Sequence, residues 1–263
     1  MKNLADVQSE KDKRNLPIDK VGVKNLHYPI SLLDKAKKRQ HTIADINMFV
    51  LLPSEFKGTH MSRFIEILNE NKDCIDIKSI SHILKEMRLR LNAAKSYINM
   101  QFPYFIEKES PVTKIKSLMS YDCIVDAVDD NGKNKITLTV AVPVTSLCPC
   151  SKEISDYGAH NQRGIVKISV RFSELIWIEE VVDIAESSAS CDIYSLLKRP
   201  DEKYVTEKAY NNPMFVEDIA RNVALKLKKD KRMDFFSVEV ENFESIHNHN
   251  AYALINSKYS NDF

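Results

Sequence analysis

From Val21 onward the chain runs in partly alternating apolar and polar positions. VGVKNLHYPISLLD (21–34) and TIADINMFVLLP (42–53) are rich in β-branched and aromatic residues, which predicts two strands. The period then lengthens. In THMSRFIEILNENK (59–72), Met61, Phe64, Ile65 and Leu68 share one helical face, and Thr59 stands where a cap belongs. A longer helix is predicted where Ile80, Ile83, Leu84, Met87, Leu91, Ala94 and Ile98 fall on one stripe. Alternation returns in SLMSYDCIVDAVDDNGKNKITLTVAVPVT (117–145), which predicts two strands joined at Asp130, Asn131 and Gly132. Asn-Gly is the strongest short-range hairpin signal.

The second half follows a similar order. IVKISVRFS (165–173) reads as an alternating strand. Leu175 to Leu197 is predicted to be mostly helical, ending before Pro200. Asn212-Pro213 is predicted to open another helix, with Phe215, Ile219, Val223 and Leu227 along one face. MDFFSVEVENFES (233–245) and AYALINSKYS (251–260) close the chain as strands. Two rounds of strands and helix pairs imply an α+β fold: an internally duplicated antiparallel sheet with helices packed on one face. The predicted division is a mobile N-terminal tail at 1–16, a first half at 17–120 and a second half at 121–263.

Composition narrows the classes. Hydrophobic residues make up 43% of the 263, enough for a sizeable core. Charged residues reach 29% but nearly cancel, to a formal net charge of +1, which argues against a nucleic-acid binder. The polar start, MKNLADVQSEKDKRNLPIDK, has no apolar segment of a secretory signal. The longest apolar run, Met48 to Pro53, is far short of a membrane span. Five scattered cysteines do not make a disulfide framework, so a cytoplasmic protein with reduced thiols is expected. With only five glycines, neither a phosphate loop nor a dinucleotide fingerprint is present.

The chemistry concentrates in SLCPCSKEISDYGAHNQRG (146–164). Cys148 and Cys150 follow a strand and flank a proline. Taken alone they fit an inert thiol pair as well as a functional one; the polar loop at a strand end favours function, as zinc ligand or nucleophile. No second cysteine pair completes a structural zinc knuckle. His160 lies in a turn-rich polar segment, and His247 and His249 lie between two strands, each open to a plain surface reading. A catalytic zinc needs about three protein ligands and an open position. Cys148, one of these histidines and a carboxylate would suffice. Glu202, read as lying in a loop, and Glu217, in the first turn of a helix, are the candidate carboxylates. Cys123 in a strand, Cys191 in a helix and Cys74 in a connection read as packing residues. His27, His41, His60 and His82 take the same reading, packing or incidental.

LCPCSKEISDYGAHNQRG, LKRPDEKYVTEKAYNNPMFVED and ESIHNHNAY resemble the signature segments of GTP cyclohydrolase I, type IB, and the likeness extends through GVKNLHYPI and GTHMSRFIE. The resemblance implies the tunnelling fold, in which subunits of two repeated halves join their sheets into barrels. It implies a homotetramer with active sites at subunit boundaries. It also implies conversion of GTP and water to 7,8-dihydroneopterin triphosphate and formate, the entry to tetrahydrofolate, with a divalent ion such as zinc, manganese or iron. Under it, Cys148, Glu202 and His247 are metal ligands. His160 is a proton donor or variable ligand, and Glu217 anchors the guanine. Lys152, Arg163, Lys198, Arg199 and Lys203 are candidates for the triphosphate. Cys150 is open to three readings, a supporting thiol, a redox liability or an alternate ligand, of which the first is favoured because two CxC thiols on one ion would fill its open position. The rivals are an archaeal-type GTP cyclohydrolase giving a cyclic phosphate, a tunnelling-fold nitrile reductase of queuosine synthesis, and a non-catalytic metal-binding module.

Overall fold

The computed structural model describes residues 8, 10–71, 75–77 and 79–257. The expectations for Cys74, for the tail at 1–7 and 9, and for the last strand beyond Ser257 lie outside the described residues. The chain divides into two compact units. One holds the described residues up to Phe102 together with Ile124–Thr137; the other holds Pro103–Cys123 and the residues from Leu138 onward.

In the first unit, β1 (Ile18–Asp34) and β2 (Lys38–Leu52) pair antiparallel, with Tyr28 opposite Ala44. β2 pairs antiparallel with β3 (Lys95–Glu109), Ile46 opposite Met100. Along β2 the period-two pattern buries Ala44, Ile46, Met48, Val50 and Leu52, and exposes Ile43. α1 (Met61–Glu70) and α2 (Ile80–Arg90) add Phe64, Ile67, Leu68, Ile83, Leu84 and Met87 to the same core. Away from that core a polar chain crosses the strands. Asn47 donates to Asn99 at 2.9 Å, and Asn99 donates to Asp126 at 2.8 Å. Residues 8 and 10–12 run beside 55–58, where Gly58 and Lys57 amides donate to the Gln8 and Glu10 carbonyls.

Three expectations change here. The helix predicted from Ile80 to Ile98 ends at Arg90. Asn92 adopts φ +50°, a left-handed conformation that terminates helices and that asparagine tolerates. Beyond it, Ser96, Ile98, Met100, Phe102 and Tyr104 are buried at strand spacing, so Ile98 belongs to β3. The cap position of α1 is His60, not Thr59, and carries no side-chain cap bond. His27 is paired with Asp45. The hairpin at Asn131-Gly132 forms as predicted, linking β4 (Lys116–Asp130) to β5 (Lys133–Leu147). Both turn residues have positive φ, +51° and +87°, as the favoured two-residue turn requires.

In the second unit β5, β6 (Asn161–Phe172), β8 (Met233–Asn242) and β9 (Ala251–Asn256) pair in that order, all antiparallel. β7 (Cys191–Asp192) pairs with β5. Val140, Val142, Val144, Val166, Ile168, Val170, Val238 and Val240 are buried. α4 (Ile178–Glu186) and α6 (Val216–Lys229) cover that face with Val181, Val182 and Ala185, and with Ile219, Ala220, Val223 and Leu227. Each fully buried aliphatic side chain of this kind contributes about 1.5–3 kcal/mol.

The helical prediction for 175–197 holds only over α4. Ser187, Ser188 and Ser190 follow, and their hydroxyls compete for backbone groups: Ser188 Oγ donates to the Ile184 carbonyl at 2.6 Å. Cys191, predicted helical, lies in β7, buried, its thiol pushed up to about 11 chiefly by desolvation and then by Asp192. Pro200 does not close a helix but opens one, α5 (Arg199–Asn211), because a first-turn proline forfeits no helical bond. Asn212-Pro213 does not open α6, which starts at Val216; the Asn212 side-chain Nδ2 donates instead to the Ala189 and Ser190 carbonyls.

One buried carboxylate fixes α5. Asp201 accepts from the amides of Val112 (2.8 Å), Thr113 (2.9 Å) and Lys198 (3.0 Å), and from the Thr113 hydroxyl (2.6 Å). Burial works to raise its pKa, but the Thr113 hydroxyl and the three amides outweigh it and hold the carboxyl well below the usual range. A depressed folded pKa contributes stability that is present above the unfolded value of about 4 and is lost as pH falls through the folded one. Asp201→Asn is therefore expected to lower the melting temperature at pH 7 by roughly 5–10 °C and to weaken its fall below pH 4, measured by calorimetry across pH.

Candidate active site

The end of β5 and the start of β6 pair through Leu147 and Asn161, and the chain between them forms the turn that carries Cys148. Cys148 follows β5 directly, as expected, and is the cap residue of α3 (Pro149–Ile154). Its sulfur is half-buried and accepts from the Ser151 amide at 3.4 Å. Cys150, two residues on, is exposed. Two backbone bonds tie His160 to this turn: the Cys148 amide donates to the His160 carbonyl at 3.1 Å, and the His160 amide donates to Ser151 Oγ at 3.2 Å.

The His160 side chain is 12% exposed. Its Nδ1 lies 3.0 Å from Gln162 Oε1 and 3.4 Å from Ser245 Oγ. His247, in the β8–β9 connection, meets the His160 ring edge-on at 6.4 Å between centroids, and His249 stacks on His247 at 5.3 Å. His160 thus touches both the Cys148 turn and the imidazole pair.

A buried polar junction holds the converging segments. Asn242, the last residue of β8, donates to Ser146 Oγ at 2.9 Å, and Ser146 Oγ donates to the Met214 carbonyl at 3.0 Å. The Met214 amide donates to the Leu147 carbonyl at 3.1 Å. The β5 end before Cys148, the β8 end before His247 and the turn before Glu217 are therefore joined. Gly164, opposite Asn242, leaves room for this: a Cβ there would stand 2.4 Å from Asn242 Oδ1 and 3.1 Å from the Glu241 carbonyl. Gly164→Ala is expected to cost about 1–3 kcal/mol in chemical denaturation.

Glu217 is exposed in the first turn of α6, where Asp218 rather than Glu217 accepts from the Phe215 amide. Glu202 lies in the first turn of α5, exposed, and not in a loop as read from the flanking proline. Lys152 is not a free cation: its Nζ donates to the Tyr210 carbonyl at 2.6 Å and sits 4.3 Å from that ring's centroid. Arg163 and Arg199 are exposed. Lys203 pairs with Glu207 at 3.0 Å. Beside the Cys148 turn a cavity of about 430 Å³ is lined by Thr145, Tyr157, Asn161, Tyr194, Thr206 and Tyr210. Its Asp192 is held by Lys108 (2.9 Å) and Lys208 (2.7 Å).

Among the described residues no group of three histidine, cysteine, aspartate or glutamate side chains is arranged to hold a metal ion. The single chain brings His160 and His247 together beside the Cys148 turn. It does not bring Cys148, Glu202 and His247 into one three-ligand cluster. Gln162, Glu244, Ser146 and Asn242 were not singled out from the sequence.

A model of the type I GTP cyclohydrolase folE2 family matches residues 4–253. The chain belongs to that family. It is 58% identical over 254 residues to a GTP cyclohydrolase FolE2 of Thermosipho africanus, covering 97% of this chain and 98% of the relative. It is 58% identical over 252 residues to a GTP cyclohydrolase FolE2 of Magnetococcus marinus, covering 96% and 95%. Among solved structures it resembles urate oxidase from Bacillus subtilis 168 (TM-score 0.52, 8% identity, 91% and 98% covered). It also resembles uricase from Arthrobacter globiformis (TM-score 0.50, 7% identity, 90% and 92% covered). At that identity the likeness is one of fold: an antiparallel sheet with helices on one face, of the uricase-like tunnelling type. The segments that suggested a GTP cyclohydrolase now have structural places. Residues 147–164 run from the end of β5 through the Cys148 turn into β6, 197–218 hold α5 and the start of α6, and 244–252 hold the β8–β9 connection and the start of β9.

Proposed function

We propose that this chain is a GTP cyclohydrolase I, of the type IB subdivision, converting GTP and water to 7,8-dihydroneopterin triphosphate and formate at the start of tetrahydrofolate biosynthesis. The observation that carries the reading is the near-complete alignment with GTP cyclohydrolase FolE2 proteins at 58% identity, together with the His160–His247 contact at the Cys148 turn.

Glu217 accepts from guanine N1–H and the 2-amino group, a two-donor edge that adenine lacks; its exposure at a helix start leaves the carboxylate available. His160, fixed beside Cys148, delivers a proton to the imidazole-ring nitrogen as the five-membered ring opens. Arg163 and Arg199, both exposed, supply charge for the triphosphate, and Lys152 does so on leaving Tyr210. Cys150 supports the site without ligating. Thiolate, carboxylate and imidazole form a donor set suited to zinc, manganese or iron, and Cys148, Glu202 and His247 are the residues that would hold the ion. When bound, such an ion supplies Lewis-acid polarisation and lowers the pKa of water. The family resemblance supports a ligand set completed between copies of the chain. On the same resemblance the reading extends to a cytoplasmic homotetramer of tandem repeats, its sheets closed into barrels and its sites at subunit boundaries. No helix among the described residues is long and apolar enough to cross a membrane.

Incubation of the purified protein with GTP and zinc, manganese or iron, followed by oxidation and mass analysis, tests this. A fluorescent neopterin triphosphate with one formate per GTP is expected. A cyclic phosphate would assign the archaeal-type reaction, and no product with any ion would leave a metal-binding module.

A further inference from the structure

Gln162 is a polar residue at a position whose strand neighbours Gly164, Val166, Ile168 and Val170 are all buried, and it is itself 7% exposed. Both ends of its amide are engaged. Nε2 lies 3.2 Å from Glu244 Oε1, and Oε1 lies 3.0 Å from His160 Nδ1. Glu244 as a carboxylate can only accept, so the amide nitrogen must face it and the amide oxygen must face His160. An amide oxygen can only accept as well. A bare Nδ1 at 3.0 Å would set lone pair against lone pair. The short contact therefore requires the hydrogen on Nδ1.

We propose that Gln162 is a positioning residue that fixes His160 as its Nδ1–H tautomer, so that Nε2 is the ring nitrogen presented for chemistry. Ser245 Oγ, at 3.4 Å, accommodates either ring state because its hydroxyl rotates. Glu244 Oε2, at 3.9 Å, is too distant from Nδ1 to bond and acts through Gln162. The backbone of His160 is already pinned to the Cys148 turn, so the Gln162 bond removes the remaining freedom, the rotation and tautomer of the ring. The link of this device to turnover rests on the cyclohydrolase reading; the tautomer itself does not.

Long-range ¹H–¹⁵N correlation spectra of the metal-loaded full chain, with the His160 signals assigned by their loss in His160→Asn, report which nitrogen carries the hydrogen. The expected result is Nδ1–H in the wild type, retained in the double variant Gln162→Glu/Glu244→Gln, which keeps an acceptor facing Nδ1 and a donor–acceptor pair between positions 162 and 244, and mixed with Nε2–H in Gln162→Met. Steady-state assays with GTP should show a loss of kcat of about 10–100-fold in Gln162→Met, with KM within about twofold. The Gln162→Glu/Glu244→Gln double variant should recover most of that loss. An Nε2–H His160 in the wild type would overturn the proposal even if every variant failed to fold. So would an unchanged kcat in a folded Gln162→Met protein. A wild type without any turnover would defeat the functional reading and leave the tautomer measurement to decide this one.

Discussion

Replacing Cys148 with alanine is expected to abolish GTP turnover, by on the order of 10³-fold or more, while leaving the fold in place. The stability cost is small because the sulfur is half-buried and its contact is one long bond from the Ser151 amide. Loss of a cap interaction costs about 1 kcal/mol, a drop of about 2–4 °C in melting temperature for a chain of this size. The turn itself is held by backbone bonds that alanine retains, from the Cys148 amide to His160 and from the Lys152 amide to the Cys148 carbonyl. Activity and bound metal should therefore disappear together in a protein that still melts cooperatively. Near-normal turnover in that variant would remove Cys148 from the ligand set.

Glu217→Gln is expected to lower kcat/KM for GTP by about 10²–10⁴-fold, since two charge-assisted hydrogen bonds are lost. The new amide also turns an N–H toward a guanine edge that offers only donors. Little else changes: Glu217 is exposed, and the Phe215 amide is capped by Asp218 at 3.1 Å. The loss of charge at a helix start costs about 0.3–1 kcal/mol. Inosine triphosphate, which lacks the 2-amino group, provides the control. The preference for GTP over ITP should shrink in Glu217→Gln, whereas unchanged kinetics on both would refute a guanine role.

The sheet was legible where alternation was long and the turn chemistry explicit. Asn131-Gly132 specified its hairpin, and the Ile165–Phe172 alternation specified β6. Ala94 and Ile98 misled because a helical stripe and an alternating strand share positions, and only the left-handed Asn92 separates them. α5 was missed because Pro200 serves equally as a stop and as a first-turn residue, and with it Glu202 was misplaced into a loop. The motif residues were recognisable as a set, yet their supports were not. Nothing local links Asp201 to Val112 and Thr113, 88 or 89 residues away. Gln162 and Asn242 did leave a signal: each extends the buried parity of an apolar strand with an amide, which is where a hydrogen-bonded partner from elsewhere in the fold is required.

Diffraction from crystals of the assembled protein, recorded at the absorption edge of the added metal with a guanine nucleotide bound, tests the central claim directly. The expected anomalous peak lies within bonding distance of Cys148 Sγ, a Glu202 carboxylate oxygen and a His247 imidazole nitrogen, with Glu217 against the guanine edge. A peak elsewhere, or a Cys148 sulfur beyond reach of Glu202 and His247 from every copy in the assembly, would contradict it.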